Sequence, residues 1–155
     1  MVCEILPNIW IGNKKDVSDI NFLINKGIKC IINTTKTCPY PDFKNYILEK
    51  IRIPLNEIDF NNNVKDNVDM YDYLLNVTEF IKNKNNNFKP ILIFCTDGIQ
   101  RAPTIIAAYI IRYGNVTLDY AIKCIKSKYI HCFIDEIYFY VALQKFYIYI
   151  NNIKN

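Results

Sequence analysis

The chain has 155 residues, of which 51% are hydrophobic, 14% aromatic and 22% charged, a globular profile far from the polar, charge-heavy composition of disorder. A domain of this length buries roughly 70% of the surface its unfolded chain exposes, enough for a core without staples. The net charge of +4 favours anionic substrates and argues against a partner as long and anionic as nucleic acid.

No apolar run approaches the roughly 20 residues of a membrane span, and the opening Met1-Val2-Cys3-Glu4 has neither the basic nor the apolar region of a secretory leader. The six cysteines include no C-x-x-C pair and no zinc-like spacing with the single histidine, His131. A reduced, intracellular and cytoplasmic protein is expected, with no membrane anchor, no metal and no cofactor. No repeat and no Gly/Ser/Pro linker divides the chain, so residues 1–155 are expected to form a single domain.

In chain order, 4–6 and 9–11 read as short strands broken by Pro7-Asn8. Asp16 is placed to cap a helix that Gly27 stops. Residues 28–32 form a β-branched strand, a turn-rich stretch follows through Pro39 and Pro41, and 47–53 is a further strand closed by Pro54. An amphipathic helix is predicted over 67–82, with Met70, Tyr73, Leu74, Val77, Phe80 and Ile81 on one face. A strand at 91–94 then runs through a seven-residue loop into a helix over 102–113, with Pro103 in its first turn. Two more helices are predicted at 118–129 and 136–150, capped by Thr117 and Asp135. Strands interleaved with helices imply an α/β fold around a mostly parallel sheet.

The loop Cys95-Thr96-Asp97-Gly98-Ile99-Gln100-Arg101 carries the chemistry. A turn from a strand end into a helix N-terminus points several N–H groups at one spot, where the helix dipole adds about half a positive charge. Cys95 at the loop start gains thiolate character from that field. Arg101 at its end can fork two hydrogen bonds onto a phosphate, and Gly98 lets the backbone approach a ligand. A nucleophile, an anion cradle and a guanidinium clamp within one turn make a phosphoryl-transfer site that needs no metal. The same Cys and Arg also fit a buried strand residue and an unrelated helix residue; the preceding strand, central glycine and following helix favour the site.

This loop resembles the C-x-x-G-x-x-R signature of cysteine-dependent phosphatases, and the strings Glu4 to Asn13, Gly27 to Asn33 and Ile53-Pro54-Leu55 resemble the dual-specificity branch. The resemblance runs from about Glu4 to Phe146 and implies a protein tyrosine phosphatase-like fold. It implies a phosphoprotein substrate, dephosphorylated at tyrosine and at serine or threonine through a phosphocysteine on Cys95. Arg101 and the amides of Thr96, Asp97, Gly98, Ile99 and Gln100 would hold the phosphate. A carboxylic acid a few residues beyond the Ile-Pro-Leu string would protonate the leaving oxygen. Either Asp59 or Glu57 fits that place, and the family's use of Asp favours Asp59.

Three departures from the family pattern bear on rate. Phe94 stands where the family has His, Ala102 replaces the usual Ser or Thr after the arginine, and Asp97 brings a carboxylate into a loop built for a dianion. They suit a slow enzyme, or a pseudophosphatase that reads phosphate without turning it over. RNA 5′-ends, phosphoinositides and glucans are the alternative substrates. The abundance of Asn, Ile, Lys and Tyr indicates an AT-rich genome and would suit a viral source. Thr104 and Cys124 read as ordinary helix residues. The aromatics between Tyr138 and Tyr149 exceed one buried stripe and are candidates for a homodimer surface. The C-terminal residues carry no prenylation box.

Overall fold

The computed structural model describes residues 1–46, 48–59, 61 and 63–155. Five strands, β1 (Cys3–Leu6), β2 (Ile9–Asn13), β3 (Cys30–Asn33), β4 (Glu49–Arg52) and β5 (Ile91–Cys95), form one sheet in the order β1-β2-β5-β3-β4. β1 runs antiparallel to β2, and the β2–β5, β5–β3 and β3–β4 pairs are all parallel. Helices α1 (Ile20–Asn25), α2 (Asn63–Asn86), α3 (Arg101–Gly114), α4 (Leu118–Lys128) and α5 (Tyr140–Lys154) cover it. The α/β fold with a mostly parallel sheet is as the sequence implies.

Strand parity places the chemistry. Successive β-strand side chains point to opposite faces. Ile91, Ile93 and Cys95 join the large core under α2, α3, α4 and α5, whereas Leu92 and Phe94 join a smaller core with Val17, Leu23, Ile28 and Ile31. Cys95 therefore ends the central strand on the side from which α3 departs. α3 is buried from Arg101 through Ile111, with an apolar sequence around most of its circumference, as expected of a helix enclosed on all sides. α2 presents Met70, Leu74, Val77 and Ile81 to the core at helical spacing.

Several element ends differ from the sequence reading. Asp16 lies in a single 3-10 turn, Asp16–Ser18, and its carboxylate accepts from the Asn13 amide at 2.9 Å. The cap of α1 is Asp19, which accepts from the Phe22 amide. α2 begins at Asn63, four residues before the expected start, and Tyr73 faces outward. β4 covers only Glu49–Arg52 of the expected 47–53 strand, with Ile47 outside the described residues. α5 starts at Tyr140, and Asp135 does not cap it. Phe133 and Asp135 both have positive φ, which breaks a right-handed helix. The Gln100 side chain holds the intervening turn, donating to the Glu136 carbonyl at 2.8 Å and accepting from the Tyr138 amide at 3.1 Å. The buried Asn67 of α2 satisfies the start of α5 instead, accepting from the Ala142 amide at 2.9 Å.

Phe94 is 0% exposed and on the sheet face opposite Cys95 in strand parity, so it serves the small core. Phe94→Ala is expected to cost about 3–5 kcal/mol, the range for truncating a buried aromatic. The shift would be read as a lower urea midpoint at unchanged slope.

Candidate active site

The loop after β5 is held from beneath before it holds anything. The Lys14 amide donates to the Thr96 carbonyl at 3.4 Å, and the Phe133 amide donates to the Ile99 carbonyl at 2.9 Å. Gly98 has φ +80°, and a Cβ there would lie 2.8 Å from the Tyr129 hydroxyl and 3.2 Å from the Gly12 carbonyl oxygen. Glycine is thus demanded twice, by backbone conformation and by space.

The loop curls around the Cys95 sulfur. Sγ accepts from the Gly98 amide at 3.2 Å and also from the Ala102 amide at the start of α3. Burial, with Cys95 0% exposed, is the largest influence and pushes the thiol above its ordinary range. The two amides and the Arg101 charge pull it down, while the Asp97 carboxylate pushes it up.

Arg101 is 2% exposed and lies across the loop. Its Nη1 donates to the Asn56 carbonyl at 3.2 Å; its Nη2 donates to Glu57 Oε2 and to Thr96 Oγ1, each at 3.0 Å. Thr96 Oγ1 in turn donates to Glu57 Oε1 at 2.9 Å. Arg101 Nε is buried with no hydrogen-bond partner among the described residues. Glu57 is 65% exposed, so its ion pair with Arg101 is screened by solvent and open to exchange.

The structure thus brings Cys95, Thr96, Arg101 and Glu57 together. Asp97 turns back onto its own loop, accepting from the Ile99 amide at 2.9 Å, with Cys95 Sγ 3.6 Å from the same oxygen. One guanidinium thus shares the cradle with two carboxylates. The Asp59 side chain accepts from the Asn61 amide at 2.9 Å, and its carbonyl accepts from the Tyr138 hydroxyl. Gln100 directs its side chain away from the sulfur, into the turn before α5. Thr104 Oγ1 returns to the Gln100 carbonyl at 2.7 Å, in the manner of an ordinary first-turn residue. Among the described residues no group of three His, Cys, Asp or Glu is arranged to hold a metal, and all six cysteines are free. The parts that sequence reasoning missed are the Asn56 carbonyl, Tyr129 beneath Gly98, and Tyr138. A main-chain acceptor leaves no residue signature, and the two tyrosines look like core aromatics until folded.

The sequence matches the family model "Dual specificity phosphatase, catalytic domain" over residues 9–148. The chain belongs to this family. Human dual specificity protein phosphatase 16 is 32% identical over 127 residues, which are 81% of this chain and 18% of that protein. Mouse dual specificity protein phosphatase 8 is 30% identical over 127 residues, with the same coverage of 81% and 18%. The chain thus spans about a fifth of the length of these curated relatives. Among solved structures, human DUSP28 superposes with a TM-score of 0.81 at 17% identity, covering 97% of this chain and 95% of that one, which establishes the shared fold. No helix among the described residues is long and apolar enough to cross a membrane.

The opposing influences on Cys95 give a measurable sign. A thiol pushed upward carries less thiolate at neutral pH, so thiolate absorbance, taken as the difference from Cys95→Ser, is expected to rise at higher pH than for an ordinary cysteine. Asp97→Asn removes one upward push and is expected to move that transition to lower pH.

Proposed function

We propose that this domain is a cysteine-dependent phosphatase of phosphoproteins, hydrolysing phosphotyrosine and phosphoserine or phosphothreonine esters. The observation that carries the reading is the buried Arg101 guanidinium, held across the Cys95 loop and joined through Thr96 to a carboxylate on a separate segment. In the proposed reaction the Cys95 thiolate attacks phosphorus, forming the S–P bond as the ester P–O bond breaks. Arg101 and the loop amides hold the three non-bridging oxygens, and an acid delivers a proton to the leaving oxygen. Water then attacks phosphorus in the phosphocysteine, giving up a proton to the same carboxylate and releasing inorganic phosphate and thiolate.

Of the two candidate acids, Glu57 is supported by its contacts with Arg101 and Thr96, whereas the Asp59 side chain is engaged with the Asn61 amide. A second reading, a phosphate reader with little turnover, is supported by the raised Cys95 thiol, by the Asp97 carboxylate beside it and by the methyl side chain of Ala102.

Hydrolysis of an aryl phosphate and of phosphotyrosine and phosphothreonine peptides separates these readings. Cys95→Ser is expected to abolish turnover, and Glu57→Gln to lower it by roughly 10²- to 10⁴-fold, the usual scale of general acid catalysis. Asp59→Asn should do far less. Asp97→Asn is expected to tighten vanadate inhibition severalfold by removing a negative charge beside the bound oxyanion. Wild-type protein that binds vanadate yet matches Cys95→Ser in turnover would establish the reader instead.

A further inference from the structure

We infer that Tyr138 is a positioning residue that keeps the acid-bearing segment, residues 56–59, over the phosphate cradle; this rests on Glu57 being the acid. The segment leaves the sheet after Ile53, whose amide donates to the Asn33 carbonyl at 2.8 Å, and has no helix or strand from Ile53 to Asp59. Leu55 anchors its beginning in the core at 3% exposure. Beyond Leu55 the segment is held from several sides. Arg101 holds the Asn56 carbonyl and the Glu57 carboxylate, Thr96 holds the other Glu57 oxygen, and the exposed Lys36 reaches the Asn56 side chain at 2.8 Å. Ile58 packs, partly buried, against the main core, and the Tyr138 hydroxyl donates to the Asp59 carbonyl.

These contacts have different fates during a reaction. The Arg101 N–H groups that bind the Glu57 carboxylate are the ones a phosphoryl group would claim, and Thr96 follows because Arg101 and Glu57 share its hydroxyl. A proton donor is needed at the moment its carboxyl must let go of the clamp. Tyr138 uses no group that the phosphate requires, so its hold on the segment persists through that exchange.

Tyr138 is also built to resist displacement. It is 3% exposed and packs edge-on against Phe139 with ring centroids 4.9 Å apart. Its amide donates to Gln100 Oε1 at 3.1 Å, and its carbonyl accepts from Asn67 Nδ2 at 3.1 Å. The single proton of its hydroxyl is shared between the Asp59 carbonyl and Asp66 Oδ2, 2.7 Å away on a side chain that is 6% exposed, which fixes the oxygen from two sides. Gln100 immediately precedes Arg101, so one rigid connection runs from the guanidinium through Gln100 and the Tyr138 ring to the segment carrying Glu57.

The test compares kcat/KM for phenyl phosphate, whose leaving oxygen needs a proton, with dinitrophenyl phosphate, whose leaving oxygen does not. Tyr138→Phe is expected to lower the first by roughly 10-fold and to change the second by less than about twofold. Its inhibition by vanadate should match that of wild type. Glu57→Gln, run alongside, should show the same split on a larger scale. Equal losses on both esters, or no loss on either, in a Tyr138→Phe protein overturns the positioning role while the acid assignment stands on Glu57→Gln. No split in Glu57→Gln, or a wild type inert on both esters, overturns the acid assignment and the inference with it. A measurement on wild type covers the case of an unstable Tyr138→Phe: the carbonyl carbon-13 shift of Asp59, which reports the hydrogen bond it accepts from Tyr138, should be unchanged when vanadate occupies Arg101. A move toward the value of a free carbonyl overturns the inference.

Discussion

A buried guanidinium organises this molecule. An arginine carries five N–H donors and a charge that cannot be neutralised at any ordinary pH. Placing it at 2% exposure is tolerable only if acceptors converge on it, because an uncompensated buried charge costs several kcal/mol. Here three acceptors come from two places in the sequence: the Asn56 carbonyl and the Glu57 carboxylate, side by side in the segment after β4, and the Thr96 hydroxyl in the loop. The demand of Arg101 for partners draws the segment after β4 across the carboxyl edge of the sheet. That demand adds to the hold that Leu55 and Tyr138 keep on a stretch with no helix or strand of its own. The contact that stabilises the clamp and the contact that delivers a candidate acid are the same.

The rest of the architecture positions the arginine. Parallel pairing of β5 with both β2 and β3 puts the end of the central strand at the carboxyl edge, where α/β sheets place their ligands. Strand parity turns the Cys95 sulfur toward α3, and the positive φ of Gly98 closes the loop within the space left by Tyr129 and Gly12. α3, enclosed by α2, α4 and α5, cannot shift without disturbing the main core, which holds Arg101 at a fixed height above the sulfur.

The legible and illegible parts of this design divide by range. Cys95, Gly98, Arg101 and Pro103 lie close together along the chain between one strand and one helix, so their spacing already describes the loop, although the distant partners of Arg101 and Gly98 are not in it. The strands at 4–6 and 9–11 are readable for the same reason, since Pro7-Asn8 breaks them locally. Tertiary partners decide what the sequence leaves open. Asp16 and Asp19 are equally good caps by residue type, and the Asn13 amide claims the first. Asp135 has the right chemistry for a cap, but the turn pinned by Gln100 delays α5 to Tyr140. Glu57 and Asp59 lie two residues apart in an unstructured segment, and only a partner nearly forty residues further along the chain distinguishes them. Phe94 reads as the loss of a loop-ordering histidine, yet its parity commits it to the opposite core.

The two carboxylates in the cradle bear on how such a site selects its ligands. Two unit charges 4 Å apart interact by about 1 kcal/mol in water and about 4 kcal/mol at an effective dielectric of 20. Under the proposed function, a phosphate dianion approaching Cys95 would have to overcome repulsion from Asp97 and take the place of Glu57 on Arg101, recovering this only through good hydrogen bonds to the guanidinium and the loop amides. Weakly coordinating anions cannot recover it, so the cradle discriminates against them. Under the proposed function the Glu57 cost is lowered by geometry: a side chain 65% exposed can leave the clamp for water and approach the leaving oxygen while its backbone stays in place. Asp97 is exposed too, but its carboxylate oxygen accepts from the Ile99 amide of the loop and lies 3.6 Å from the Cys95 sulfur. Under the proposed function, Glu57 is the partner that a phosphate displaces from the clamp, and Asp97 is the charge that weakens the binding of an anion beside Cys95.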